Sequence, residues 1–275
     1  MEYRCLGVNG FAGDRTSEAM QECHPFAQAL SEFLGASVTL YGSIKEVKDL
    51  QWKEALIEST DIFATISKVI KDSISDNCIP ILVTPRCASA IASLPVIVSK
   101  FPDVVVIYFD AHGDLNVPAT SSSGYLGGMP ITAAMGCWKS GYGSGLDAKN
   151  LVHIGGRDLD DSEIDFIRDN KIMTLSREQI ESGIDELAEL IRGKTVYVHI
   201  DTDVYDPTEV VAEYRVEDGL FRQHVDKVIR LIQAEANLVG LEITELSPKN
   251  TFQREHSYKA LFDSLSSLSK IQVSK

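Results

Sequence analysis

The feature that most constrains this chain is an alternation running from end to end: short apolar, β-branched runs separated by amphipathic segments. The runs predict strands at about Tyr3–Val8, Ala36–Tyr41, Cys78–Thr84, Val104–Asp110, Leu151–Ile154, Lys171–Leu175, Thr195–Asp201 and Leu238–Thr244. Between them, helical patterns cover about Ser17–Leu34, Trp52–Ser73, Ala88–Lys100, Ser162–Asn170, Arg177–Arg192, Phe221–Ala236 and Arg254–Ser269. Several strand runs are apolar throughout, as strands covered on both faces are. Such an order predicts an α/β protein: a parallel sheet between two layers of helices, with residues 1–275 forming one α/β/α domain. Ligands in these sheets sit at the carboxyl ends of the strands. The residues that end each strand are therefore where chemistry is expected.

Charge narrows the partners. Lys and Arg number 26 against 40 Asp and Glu, a formal charge of -14. A nucleic-acid binder or an anionic-membrane binder needs a basic face, which this balance argues against. No apolar stretch approaches the roughly 20 residues of a membrane helix, and Met1-Glu2-Tyr3-Arg4-Cys5 shows no basic region followed by an apolar run, so no signal peptide is visible there. Five cysteines, odd in number and widely spaced, form neither a disulfide framework nor a zinc pattern. A reducing, cytoplasmic setting is the expectation. Quaternary structure is not legible in the residues.

Two strand ends are acidic. The run Val104–Phe109 leads into Asp110-Ala111-His112-Gly113-Asp114, and Thr195–Ile200 leads into Asp201-Thr202-Asp203, then Asp206-Pro207. Residues i, i+2 and i+4 of an extended chain point the same way, so Asp110, His112 and Asp114 are expected to converge, as are Asp201 and Asp203. Carboxylates gathered without a cation repel and raise one another's pKa, which a divalent metal resolves. Carboxylates with one imidazole suit Mn²⁺ better than structural zinc. A single such strand end also serves turns and helix caps; the coincidence of two favours the metal.

These two signatures resemble the metal-binding motifs of the ureohydrolase (arginase/agmatinase) superfamily, and the similarity extends from the first strand to the last helix. The resemblance implies a central eight-stranded parallel sheet and two Mn²⁺ ions whose bridging hydroxide attacks a guanidine carbon. It implies that Asp110 and Asp201 bridge the ions, that Asp114 completes one site, and that His112 and Asp203 complete the other. Asn116 and Ser123 fall where arginases hold a substrate α-carboxylate. Asp160 and Glu163, within Ile154-Gly155-Gly156-Arg157-Asp158-Leu159-Asp160-Asp161-Ser162-Glu163, fall where acids face the α-amino group, although both positions also suit a helix cap. Glu245 falls where a glutamate pairs with the guanidinium. Together they outline a small guanidino amino acid as partner, with Asp114 and Glu245 as the catalytic pair.

Two positions depart from the arginase pattern. Thr84-Pro85-Arg86-Cys87 stands for Gly-Gly-Asp-His, so a metal-ligand histidine becomes Cys87. Leu126-Gly127-Gly128-Met129-Pro130 stands for Leu-His-Gly-x-Pro, so the histidine credited with proton transfer to the leaving amine becomes Gly127, and Tyr125 stands for Asn. A general acid typically contributes about 10²–10⁴-fold. Both departures resemble the Nω-hydroxy-L-arginine amidinohydrolase branch, whose hydroxyguanidine is less basic than guanidine. The expected reaction is Nω-hydroxy-L-arginine to L-ornithine and hydroxyurea. Plain arginase or another ureohydrolase reaction, and a non-catalytic binding protein that has lost its metal, are the rival readings. Of the remaining residues, His199 reads as a packed core histidine with a supporting role open to it. Arg86 reads as a salt-bridge partner that could also lower the Cys87 pKa.

Overall fold

The computed structural model describes residues 1–269; positions 270–275 of the expected domain lie outside the described residues. Eight strands form one sheet: β1 (Glu2–Asn9), β2 (Ser37–Gly42), β3 (Cys78–Val83), β4 (Val105–Phe109), β5 (Leu151–Ile154), β6 (Met173–Leu175), β7 (Thr195–Asp201) and β8 (Asn237–Thr244). Their order is β2-β1-β3-β8-β7-β4-β5-β6, and every pairing is parallel. The expected α/β class and eight-stranded parallel sheet are what the chain adopts.

Strand parity sorts side chains into two cores. Ile81, Val83, Val105, Ile107, Phe109, Val198 and Ile200 face α1 (Glu18–Leu34), α7 (Gln179–Ile191), α8 (Arg222–Glu235) and α9 (Thr251–Ser264). Leu82, Val106 and Tyr108 face the opposite layer, chiefly α3 (Thr60–Ser75), α4 (Ala90–Lys100) and α5 (Pro130–Met135). Each fully buried side chain of this size stabilises the fold by about 1.5–3 kcal/mol. Both faces are covered, which is why the strand runs are apolar rather than alternating.

The expected helix Trp52–Ser73 is two helices, α2 (Trp52–Glu58) and α3, broken at Ser59. The hydroxyls of Ser59 and Thr60 turn back to the carbonyls of Ala55 and Ile57, at 2.7 and 2.6 Å, and compete with the helical ladder. Helix α5 was not expected from the pattern, because six residues are too few to display a helical period. The remaining helix, α6 (Asp161–Asn170), lies beside α5's layer through Phe166 and Ile167. Trp52 and Trp138 pack edge-on against each other, 5.7 Å between centroids. Among the described residues no helix is long and apolar enough to cross a membrane.

Candidate active site

Four adjacent central strands, β3, β8, β7 and β4, end at one place. From their carboxyl ends come Cys87, Glu245, the pair Asp201 and Asp203, and the segment Asp110–Asp114. The expectation of an extended 110–114 segment is corrected: β4 stops at Phe109. Asp110 Oδ1 accepts the His112 N–H at 2.7 Å, and Asp114 takes a left-handed φ of 54°. Asp201 Oδ1 accepts the Asp203 N–H at 2.8 Å in the same manner. Convergence is thus produced by two carboxylate-capped turns rather than by strand parity. Glu245 also has a left-handed φ, 65°. Non-glycine residues in this region are strained and concentrate at functional sites.

Potential ligand atoms fall into three overlapping groups, each within 4.8 Å: Cys87, Asp110 and Asp114; Cys87, Asp201 and Glu245; Asp110, His112 and Asp203. All six expected metal ligands are therefore assembled, with Glu245 brought alongside. Asp203 Oδ2 lies 2.9 Å from His112 Nδ1 yet has no hydrogen-bond partner. A carboxylate oxygen and an imidazole nitrogen this close together suit a shared cation. The donor set, carboxylates with one imidazole and one thiol, fits a pair of divalent ions.

Electrostatics point the same way. Burial, then Asp203, pushes Asp110 up to about 7. Asp114 and Asp201 are raised well above the carboxylate range, first by burial and then by neighbouring carboxylates. Burial, then Asp201, Asp114 and Asp110, drives the Cys87 thiol up. The expectation that Arg86 could lower that thiol's pKa is overturned, because Arg86 faces the other way. Its guanidinium, wholly buried, bonds Asp14 at 2.9 Å and Glu245 at 2.8 Å and also pairs with Glu213.

A stability prediction follows for metal-free protein. Asp110 binds protons up to about pH 7 when folded but only to about 3.8 when unfolded. The native state thus holds the extra proton, and stability falls as pH rises through this window. His112, raised by Asp110 and Asp203 against the effect of burial, contributes in the same direction above its unfolded value of 6.5. We expect the melting temperature of chelator-treated protein to drop between pH 5 and 8. Added Mn²⁺ should restore more at pH 8 than at pH 5, since binding displaces protons. A melting temperature that rises across the window would contradict the assignment.

Beneath the acids runs a polar row across the sheet. Tyr108 pairs in register with His153 and His199, and His199 with Glu242. Tyr108 Oη donates to Asp114 Oδ2 at 2.6 Å. His199 Nε2 lies 3.3 Å from Cys87 Sγ, and its Nδ1 lies 3.2 Å from Glu242. His199 is thus a packed core histidine that touches Cys87, joining the two roles left open by the sequence. Tyr108 and Glu242 sit inside strand runs and gave no signal there.

Above the acids opens a cavity of about 250 Å³ lined by Cys87, His112, Asp114, Asn116, Ser123, Tyr125, Asp160, Glu163, Tyr214 and Glu245, among others. All the expected substrate residues reach it, but several are already engaged. Asn116 Nδ2 donates to Asp160 at 2.8 Å, and its Oδ1 accepts from Thr120 and Ser162. Glu163 accepts the N–H groups of Asp160 and Leu115, both at 3.0 Å. The capping role therefore holds for Glu163, whose carboxyl would collide with any Cβ at Gly113. Arg157, unassigned by the sequence, binds the carbonyls of Asp203, Val204 and Val216 and ties the loop after β7 to the site.

A family model described as the arginase family matches residues 11–268. The chain belongs to the arginase family. It is accordingly an enzyme of the ureohydrolase class. It is 32% identical over 255 residues, 92% of each chain, to an Nω-hydroxy-L-arginine amidinohydrolase of Streptomyces lavendulae. It is 29% identical to an arginase of Staphylococcus aureus over 204 residues, 70% of this chain and 68% of that one. The crystal structure of an arginase from Bacillus subtilis superposes over 100% of both chains with a TM-score of 0.83 at 20% identity, a likeness of fold.

Proposed function

We propose that this arginase-family chain, working as one catalytic domain, hydrolyses the guanidino group of Nω-hydroxy-L-arginine, releasing L-ornithine and hydroxyurea. Water adds its oxygen to the guanidino carbon, the bond from that carbon to Nδ breaks, and Nδ leaves as the ornithine amine with the proton. The reading is supported above all by Gly127, a residue that cannot carry a proton at the position where the family places its shuttle histidine. A less basic hydroxyguanidine reaches its neutral, attackable form more readily and leaves less work for a general acid. Similarity to the Streptomyces relative supports the same substrate.

Two Mn²⁺ ions held there would lower the pKa of a shared water and stabilise the charge that develops on the guanidino carbon's substituents. Cys87, Asp110, His112, Asp114, Asp201 and Asp203 would hold the ions. Asp114, hydrogen-bonded to Tyr108, is oriented to accept the proton of the attacking water. Glu245 faces the guanidino group from beside Arg86. Ser123 and Asn116 would meet the α-carboxylate, and Asp160 with Glu163 the ammonium.

Ornithine release with added Mn²⁺ tests this, comparing L-arginine and Nω-hydroxy-L-arginine at matched concentrations. We expect a rate at least about tenfold higher on the hydroxylated substrate. Comparable rates would return the chain to plain arginase. No ornithine from either, with Mn²⁺ bound, would mean a different guanidine. Failure to retain Mn²⁺ at all would favour a non-catalytic binding protein.

A further inference from the structure

Gly127 is demanded by space rather than by backbone conformation, since it is not among the residues of positive φ. An ideal Cβ built on it lies 2.3 Å from Tyr125 Cε1 and 2.8 Å from Cζ. The hydroxyl-bearing end of the Tyr125 ring therefore occupies the volume that a side chain at 127 would fill. The ring is held from outside, with the Arg15 guanidinium carbon 5.0 Å from its centroid and the Tyr214 ring at 6.1 Å. The Tyr125 N–H donates to Ser123 Oγ at 3.2 Å, which fixes the backbone behind it.

The phenolic oxygen is enclosed and has no hydrogen-bond partner among the described residues, although Tyr125 lines the same cavity as Cys87, Asp114 and Glu245. Buried hydroxyls almost always find a partner, so an orphan on a residue that lines a substrate cavity marks a missing ligand group. Burial, then the nearby Glu245, raises the phenol's pKa well above its usual value, so Oη keeps its proton and needs an acceptor. A guanidinium offers only N–H donors. The oxygen of an N-hydroxyguanidine is an acceptor, and it projects one atom beyond the nitrogen that carries it.

Building on the substrate reading above, we propose that Tyr125 Oη determines specificity by donating a hydrogen bond to the Nω-hydroxyl oxygen of the substrate. Loss of the histidine side chain at 127 and gain of the phenol are then one structural change: Gly127 vacates the volume, and Tyr125 fills it with a group that recognises the extra oxygen. A site built around a substrate hydroxyl discriminates strongly against the analogue that lacks it.

The test compares Mn²⁺-loaded wild type with Tyr125→Phe, which keeps the ring, the Arg15 contact and the packing. kcat/KM on Nω-hydroxy-L-arginine is expected to fall at least about tenfold, with that on L-arginine nearly unchanged, so that their ratio collapses. The calorimetric affinity of metal-free protein for Nω-hydroxy-L-arginine is expected to weaken in parallel. Gly127→Ala, which leaves the phenol intact but drives a Cβ into the ring, should depress the same ratio. An unchanged ratio in Tyr125→Phe, with wild type still favouring the hydroxylated substrate, overturns the contact alone. Wild type that turns over L-arginine faster overturns the substrate reading, and this contact with it.

Discussion

Replacing Asp201 with Asn should lower ornithine release by on the order of 10³-fold or more while leaving the metal-free protein folded. Asp201 Oδ2 lies 2.7 Å from Cys87 Sγ, and its Oδ1 accepts the Asp203 N–H. Asn keeps the second contact, and with it the turn that aims Asp203. It replaces the first oxygen with an amide N–H₂, which cannot ligate, and removes a carboxylate from the group it forms with Cys87 and Glu245. Losing an ion there forfeits most of the reduction in water pKa, from 15.7 toward about 7, that a bound metal supplies. Metal analysis should accordingly find fewer than two Mn²⁺ per chain. Stability separates this outcome from misfolding. Burial and the carboxylates of Asp203 and Asp110 hold Asp201 protonated without metal, so a neutral amide there costs the apo protein little. Full Mn²⁺ stoichiometry with activity within tenfold of wild type would refute Asp201 as a metal ligand.

What the sequence disclosed depends on the length over which each signal repeats. Layers, strand number and the identity of the acidic strand ends rest on runs of several residues, and these survive in the fold. Short-range competition does not repeat. The break at Ser59 comes from two hydroxyls turning back on the backbone, and α5 is only six residues long. Asp110 does meet Asp114 in one group and His112 in another, but for a reason the strand rule misses: side-chain caps and a left-handed Asp114 take over where β4 ends. The supports of the site were the least legible. Tyr108 and Glu242 are read as ordinary strand residues until register sets them beside His199. Gly127 and Tyr125 were both visible as departures, whereas the contact that ties one to the other emerges only from where the Tyr125 ring lies.

Arg86 shows the same limit most sharply, and Arg86→Met should destabilise the protein by about 3–5 kcal/mol, the usual cost of removing one partner from a buried ion pair. For a domain of this size that corresponds to a fall in melting temperature of roughly 6–20 °C. Its partners come from three distant parts of the chain: Asp14, Glu213 and Glu245. Met fills much of the volume but leaves three acids facing one another without their cation. Burial already lifts Glu245 to about 7 despite the lowering influence of Arg86, so the variant should hold its proton to still higher pH. A folded-state acid with a raised pKa loses stability as pH climbs from its unfolded value through its folded one. The deficit against wild type should therefore be small near pH 5 and open as pH rises toward 8. Lys at 86 should recover only part of it, because a single ammonium cannot reproduce the fork that reaches all three acids. A deficit that does not vary with pH would mean that Met fails by packing alone, and that Arg86 does not neutralise the acid against which the guanidino group is proposed to bind.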